Sequence, residues 1–153
     1  MAVKLVTLVV VQAMLALPGP VRDDLAALCP GWRLAPVTPE VGAEIASRTP
    51  DWPANLIRGD FDGDASADFA VLAECPQNGL STVQLLVFMS DGETFRRAVI
   101  EPPAPPDARE FLHLIPAGAG GGYQRDAIGV EYDAIGGHAW VLRNGKWQSI
   151  PRA

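Results

Sequence analysis

The sequence contains few of the residues on which common catalytic and metal sites are built. It has two cysteines and two histidines among 153 residues. The histidines, His113 and His138, lie on separate predicted strands with no cysteine nearby, so the ligand spacing of a zinc site is missing. Neither a C-x-x-C redox motif nor a G-x-S-x-G motif occurs. We therefore expect both histidines to be solvated or packed strand residues.

Positive charge is also scarce. The chain has 12 basic and 18 acidic residues, which give it a formal net charge of -6. Nucleic acids and anionic lipids both require a basic surface. We therefore expect no nucleic-acid partner, and the partner that the sequence leaves open is an unknown protein or envelope component.

The longest apolar run is too short to cross a membrane. It extends from Leu5 to Leu17, follows Lys4 and ends at a Pro-Gly-Pro sequence. A bilayer span needs about 20 apolar residues, whereas this profile is typical of a signal peptide. We predict a signal peptide over residues 1–19, cleaved between Ala13 and Gly19, and a single exported domain over residues 20–153, periplasmic or extracellular. The mature chain would have no stable membrane span; a buried N-terminal helix or strand is the alternative.

The two cysteines, Cys29 and Cys75, form an even pair in a chain predicted to be exported. Such a pair is most simply a disulfide. It would join the N-terminal segment to a later strand and stabilise the fold by about 3 to 4 kcal/mol, mainly by restricting the unfolded chain. Two separate buried thiols are the alternative.

The first third of the chain predicts two short helices. The apolar spacing from Val21 to Leu28 favours the first. The second begins after Thr38, which is a good N-cap residue, with Pro39 at the first helical position.

From Asp68 onward, short apolar runs separated by turn residues predict strands. These strands are Phe69–Ala73, Val83–Met89, Phe95–Ile100, Phe111–Ile115, Ala127–Tyr132, His138–Arg143 and Lys146–Ile150. The first is nearly continuous in apolar residues, which indicates a central strand covered on both faces. The fold class predicted is α+β, with short N-terminal helices packed on a mainly antiparallel sheet of about six or seven strands.

The segments between the predicted strands contain distinct turn signals. Ser90–Glu93 and Asn144–Gly145 predict tight hairpin turns. The prolines between Pro102 and Pro106 cannot donate ladder hydrogen bonds and predict a stiff exposed connection. The glycines from 118 to 122 are followed by a strand rather than a helix, so they predict a flexible loop and not a phosphate site.

An acidic loop precedes the first of these strands. Asp60, Asp62, Asp64 and Asp68 occupy loop positions 1, 3, 5 and 9. Calcium prefers about 6 to 8 oxygen ligands near 2.4 Å, and clustered carboxylates repel one another unless a cation is present. We predict a Ca²⁺ site made by these four side chains, with the backbone carbonyl of Ser66 and water completing the coordination.

The loop is not an EF-hand, because Val71 stands where that motif requires a bidentate glutamate. It resembles the calcium loop of FG-GAP and VCBS repeats, in which D-x-[DN]-G-D-x-x-x-D runs directly into an apolar strand. The matching residues are Asp60, Asp62, Gly63, Asp64, Asp68 and the strand Phe69–Leu72. Ala65 departs from the pattern, which usually has glycine there. The resemblance implies a metal site and a loop-to-strand unit. A propeller would need several copies, and this chain has one.

The leading hypothesis is an exported calcium-binding module with a mainly structural ion and an unknown binding or envelope role. The absence of a catalytic motif favours a protein that is not an enzyme. A small secreted hydrolase, or an inhibitor or accessory subunit of an envelope enzyme, is the alternative. A catalytic carboxylate pair is defined by its separation in space, so the sequence cannot select one among the later acids Glu74, Glu101, Glu110, Glu131 and Asp133.

Overall fold

The computed structural model describes residues 17–49, 52–120, 122–133 and 135–152. Residues 1–16 of the predicted signal peptide lie outside this range. Two helices and nine strands occur among the described residues. In chain order they are α1 (Gly19–Leu28), β1 (Arg33–Leu34), α2 (Pro39–Arg48), β2 (Leu56–Gly59), β3 (Asp68–Gln77), β4 (Leu80–Ser90), β5 (Phe95–Ala104), β6 (Glu110–Ile115), β7 (Ala127–Tyr132), β8 (Gly136–Arg143) and β9 (Lys146–Arg152).

The strands form two antiparallel sheets. In the first sheet the order is β1-β3-β4-β5, and β2 also pairs with β3. The second is a meander in the order β6-β7-β8-β9. The α+β class is therefore confirmed in broad terms, but the prediction of one sheet with six or seven strands is wrong. Pro105 and Pro106 end the pairing after β5, and the apolar residues of the later strands then pack against a face of the first sheet.

The main core lies between the two sheets. Alternate residues of β3 and β4 supply one side of it, including Ala70, Leu72, Leu85 and Val87. The second sheet supplies the other side, with its buried members Leu112, Ile128 and Val130. Trp140, Leu142 and Trp147 pack against the same cluster.

Helix α1 covers the opposite face of the first sheet. Val21 and Leu25 of the helix are fully buried against Phe69, Val71 and Leu86 of the sheet. Strands β3 and β4 are therefore buried on both faces, as predicted for Phe69–Ala73. Leu17, just before the helix, is 2% exposed and belongs to the same cluster.

Several local predictions are confirmed. The Thr38 side chain accepts a hydrogen bond from the Val41 backbone N–H at 3.3 Å and caps α2. Asn144 and Gly145 have positive φ angles of 51° and 72°, as a type I′ turn requires, and they join β8 to β9. Cys29 and Cys75 form a disulfide with their Cα atoms 5.6 Å apart, so the end of α1 is fixed to β3.

The proline-rich segment differs from its prediction. Strand β5 continues to Ala104 and so contains Pro102 and Pro103. Leu85 pairs with Glu101 and Val83 with Ala104, so these two prolines form a bulge. Edge strands and bulges are the places where a sheet tolerates residues without an N–H donor. Strands β1 and β2 are absent from the predicted strands, because at two and four residues they are too short to give a clear pattern.

Candidate metal centre

The acidic loop closes a hairpin between β2 and β3. Gly59, the last residue of β2, pairs with Asp68, the first residue of β3. Residues 60–67 therefore form the turn of this hairpin, and the missed strand β2 explains how the loop is held from both sides. Phe61, which follows the first aspartate, is fully buried in the main core and holds the loop against the sheets.

The loop backbone is wound around the Asp60 carboxylate. Its Oδ1 accepts hydrogen bonds from the N–H groups of Gly63 and Asp64, at 2.8 and 3.1 Å. Its Oδ2 accepts one from Ala65 at 2.9 Å. Three donors thus point toward one charged group, and this organises the turn without a regular element.

Two further aspartates stabilise local turns. Asp62 Oδ1 accepts from the Asp64 N–H at 3.1 Å, and Asp64 Oδ1 accepts from the Ser66 N–H at 2.7 Å. Gly63 has a φ of 79°, and a Cβ atom there would lie 3.3 Å from Arg125 Nε. The glycine of the motif therefore suits this backbone conformation, and its lack of a side chain leaves room for Arg125.

Asp68 is fully buried at the start of β3. Its Oδ2 accepts from the Phe61 N–H at 2.9 Å and its Oδ1 from the Ser90 N–H at 2.8 Å. The carboxylate thus connects the loop, β3 and the end of β4. A charged group with no exposure is unfavourable unless hydrogen bonds and an opposite charge compensate for its lost hydration.

Three of the predicted ligands converge. Asp60, Asp62 and Asp68 each offer a carboxylate oxygen, and these oxygens lie within 4.8 Å of one another. Oxygens that share an ion at about 2.4 Å are at most about 4.8 Å apart, so the triad can hold a metal ion. Asp64 is not part of this group, and a role for it or for the carbonyl of Ser66 stays a prediction.

The electrostatics of the triad favour a bound cation. Burial raises the pKa of Asp68 to about 6, and the nearby charges of Asp62 and Asp64 add to this effect while its two backbone hydrogen bonds oppose it. Burial also raises the pKa of Asp62, with a contribution from Asp64. Ionising these groups together is thus costly, and a cation among them would offset that cost.

A second carboxylate supports the loop from the other sheet. Asp126, just before β7, accepts hydrogen bonds from the backbone N–H groups of Asp60 and Ala117, both at 2.9 Å. Asp126 is not among the predicted site residues because it lies 66 residues along the chain from Asp60. No spacing rule connects the two, and only the packing of the sheets brings them together.

The histidines are hydrogen-bonded strand residues. His113 Nε2 lies 2.7 Å from an Arg152 guanidinium nitrogen, which also contacts Glu131 at 3.1 Å. His138 Nε2 lies 2.6 Å from Glu101 Oε1. Neither histidine belongs to a metal-ligand group among the described residues.

A polar cluster lies where β5 faces the second sheet. Glu101 Oε1 accepts from Trp140 Nε1 at 2.7 Å as well as contacting His138. The Tyr132 hydroxyl donates to Glu110 at 3.3 Å, and burial raises the pKa of both groups, that of Tyr132 to about 12. Because Glu101 lies on β5 and both of its partners lie on β8, these contacts join the two sheets.

No family model, curated protein or solved structure matches this chain. The resemblance of the loop to FG-GAP and VCBS repeats thus rests on the loop residues alone. Neither helix in the described part of the chain is long and apolar enough to cross a bilayer.

The backbone at Ala65 gives a first testable prediction. Ala65 has a φ of 70°, which is costly for a residue with a Cβ atom. We expect Ala65→Gly to raise the free energy of unfolding by about 0.5 to 1 kcal/mol, after allowance for the greater freedom of glycine in the unfolded chain. Ala67→Gly is the matched control, because Ala67 has no positive φ and glycine there should destabilise. Urea unfolding measures both, and a loss of stability in both variants would contradict the prediction.

The raised pKa of Asp68 gives a pH prediction for the metal-free protein. Its folded-state pKa of about 6 exceeds its ordinary value of 3.8, so its contribution to stability is present below pH 3.8 and is lost as the pH rises through 6. In EDTA, we expect the free energy of unfolding of the wild type to fall between pH 4 and 7 relative to that of Asp68→Asn. Saturating calcium should reverse this relative slope, because the ion favours the ionised carboxylate. If the free energy of unfolding has the same pH dependence in the wild type and in Asp68→Asn in EDTA, the pKa of Asp68 is not raised.

Proposed function

We propose that the protein is an exported calcium-binding module in which the ion is structural. The observation that supports this most is the convergence of Asp60, Asp62 and Asp68 within a loop whose spacing matches a known calcium-loop pattern. All of the candidate ligands are oxygen atoms. Hard cations such as calcium prefer oxygen ligands, whereas softer metals prefer nitrogen and sulfur.

Calcium suits this loop better than magnesium. Magnesium requires near-octahedral geometry at about 2.0 to 2.1 Å and keeps several waters, whereas calcium accepts irregular loops with several carboxylates. Three side chains converge, and the nearby Asp64 and the carbonyl of Ser66 would extend the coordination of a larger ion. An exported protein meets calcium near millimolar levels, so a site with a Kd of about 0.1 to 1 mM would be filled.

The surroundings of the triad support a stabilising role for the ion. Asp68 uses both oxygens to hold backbone groups of the loop and of β4, and Asp60 is held through its N–H by Asp126 from the second sheet. An ion here would therefore stabilise the point at which the β2–β3 hairpin, β4 and the second sheet meet. Because the ion would bind the folded protein and not the unfolded chain, the free energy of unfolding would rise with the calcium concentration relative to the Kd.

Export is supported by the apolar N-terminal segment together with the disulfide between Cys29 and Cys75. Disulfides persist mainly outside the reducing cytosol. The burial of Leu17 refines the cleavage prediction. Removing this residue would take a buried side chain out of the apolar cluster between α1 and the first sheet. Cleavage before Leu17 preserves that packing.

The calcium assignment predicts a specific response of Asp62→Asn. The amide keeps the acceptor oxygen for the Asp64 N–H but removes one negative charge from the triad. In EDTA the variant should be at least as stable as the wild type, because a like-charge repulsion is gone. Calcium at ten times its Kd should stabilise the wild type by about 1.4 kcal/mol, and the variant much less. Thermal unfolding in calcium and in EDTA measures both.

Asp91→Asn provides the matched control for that experiment. Asp91 also accepts backbone hydrogen bonds within a hairpin turn, from Glu93 and Thr94, but it does not belong to the carboxylate triad. This variant should lose stability equally in calcium and in EDTA and keep the full calcium response. The assignment is wrong if chelation leaves the wild-type midpoint unchanged, or if magnesium at the same concentration stabilises as well as calcium does.

Export predicts the form of the mature chain. Expressed from the full sequence in a bacterial host, the protein should be recovered from the envelope or medium, oxidised and starting no later than Leu17. Val9→Arg, which interrupts the apolar run, should keep the chain unprocessed in the cytoplasm. Cell fractionation and intact-mass measurement read both results. An unprocessed wild type in the cytoplasm would refute export, and an exported chain that begins after Leu17 would refute the refined cleavage position.

A further inference from the structure

A cavity of about 440 Å³ lies on the side of the molecule formed by α2, β2 and β6. It uses no carboxylate of the acidic loop. Its volume lies within the range of about 300 to 1,000 Å³ typical of small-molecule sites. The size of the cavity therefore suits a small molecule.

The walls of the cavity are mainly apolar. Ile45 of α2, Trp52, Leu56 of β2 and Leu114 of β6 contribute to them. The Trp52 indole N–H donates to the Leu56 carbonyl, which fixes the ring as one wall. Leu114 is among the few large apolar side chains that remain more than a third exposed. A concave apolar surface of this kind favours an apolar ligand body.

The charged residues of the lining are biased toward the positive sign. Arg48, Arg58 and Glu44 contribute to the lining, and Glu44 is already paired with Arg48 at 2.6 Å. His113 also lines the cavity, and burial lowers its pKa, so it adds little charge near neutral pH. The described residues of the lining thus include two arginines and one glutamate, on a chain whose formal charge is -6.

We propose that this cavity binds a small amphipathic anion, with an alkyl or aryl body against the apolar walls and a carboxylate near Arg48 and Arg58. The guanidinium group is planar and forms paired hydrogen bonds with carboxylates, which makes it a suitable partner for such a head group. A cationic ligand is disfavoured, since Glu44, the one acid among the described residues of the lining, is paired with Arg48. A neutral ligand of the same shape would use only the apolar walls.

Decanoate and decanol, each below its aggregation limit, are the probes that separate these contributions. Titration calorimetry should show saturable 1:1 binding of decanoate to the wild type and binding of decanol weaker by about tenfold. The double variant Arg48→Gln/Arg58→Gln should weaken decanoate by about tenfold and leave decanol nearly unchanged. Arg96→Gln, an exposed arginine on β5, is the charge control and should change neither affinity by more than about twofold.

Leu114→Trp tests the location by filling the cavity. It should reduce the affinity for both probes by at least about tenfold. Leu80→Trp is the matched control, because Leu80 is 74% exposed and does not line the cavity. If Leu114→Trp does not fold, the comparison of decanoate with decanol in the double arginine variant still tests the proposal. The proposal is overturned if decanoate does not saturate, if it binds no better than decanol, or if the arginine variant binds it as tightly as the wild type. Because the loop carboxylates take no part, Asp62→Asn should bind decanoate normally whether or not the calcium assignment holds.

Discussion

The fold depends on a strand that is buried on both faces. Strand β3 packs on α1 with one set of alternate side chains and on the second sheet with the other. A strand in that position must have its backbone groups paired, and β1, β2 and β4 supply the partners. This double burial also affects the residues near the two ends of β3. Cys75 near one end is fixed to α1, and Asp68 at the other end is a carboxylate with no access to solvent.

The burial of Asp68 links the fold to the acidic loop. Two backbone N–H groups satisfy part of the carboxylate, yet burial and the charges of Asp62 and Asp64 still raise its pKa. Hydrogen bonds alone therefore do not replace the lost hydration. Asp60 and Asp62 bring further negative charge to the same place. A cation would compensate the buried charge of Asp68, and it would also offset the repulsion among the three carboxylates.

The predictions from sequence were correct where short-range chemistry decides the structure. The Thr38 cap, the turn at Asn144–Gly145 and the double burial of Phe69–Ala73 all follow from residue types and nearby spacing. The disulfide joins residues 46 positions apart, and it was predictable because the chain has two cysteines. The turn at Asn78–Gly79, which joins β3 to β4 with two positive φ angles, has the same signal and could have been found.

Other features could not be read from the sequence, because they depend on which surfaces meet. The division into two sheets is set by apolar packing across the core, and the apolar pattern of each strand is the same in one sheet or two. Asp126 and Asn55 are polar residues whose roles appear only in the fold. Asn55 donates to the Ala35 carbonyl at 2.7 Å and accepts from the Leu112 N–H at 3.1 Å, deep inside the protein. In the acidic loop, the structure brings together the carboxylates of Asp60, Asp62 and Asp68, and the role of Asp64 stays a prediction.

Strand β2 shows why the loop and the cavity occupy adjacent positions. It has only four residues, and contacts at both of its ends determine where it lies. Asn55 immediately precedes it and connects it to β6, while the acidic loop immediately follows it and is held by Asp126. The strand contributes Leu56, Ile57 and Arg58 to the cavity lining, and its last residue, Gly59, lies so close to Leu114 that a Cβ atom there would be 2.9 Å from the leucine. One short strand therefore carries a wall of the cavity and enters the loop, and the polar contacts at its ends determine the geometry of both.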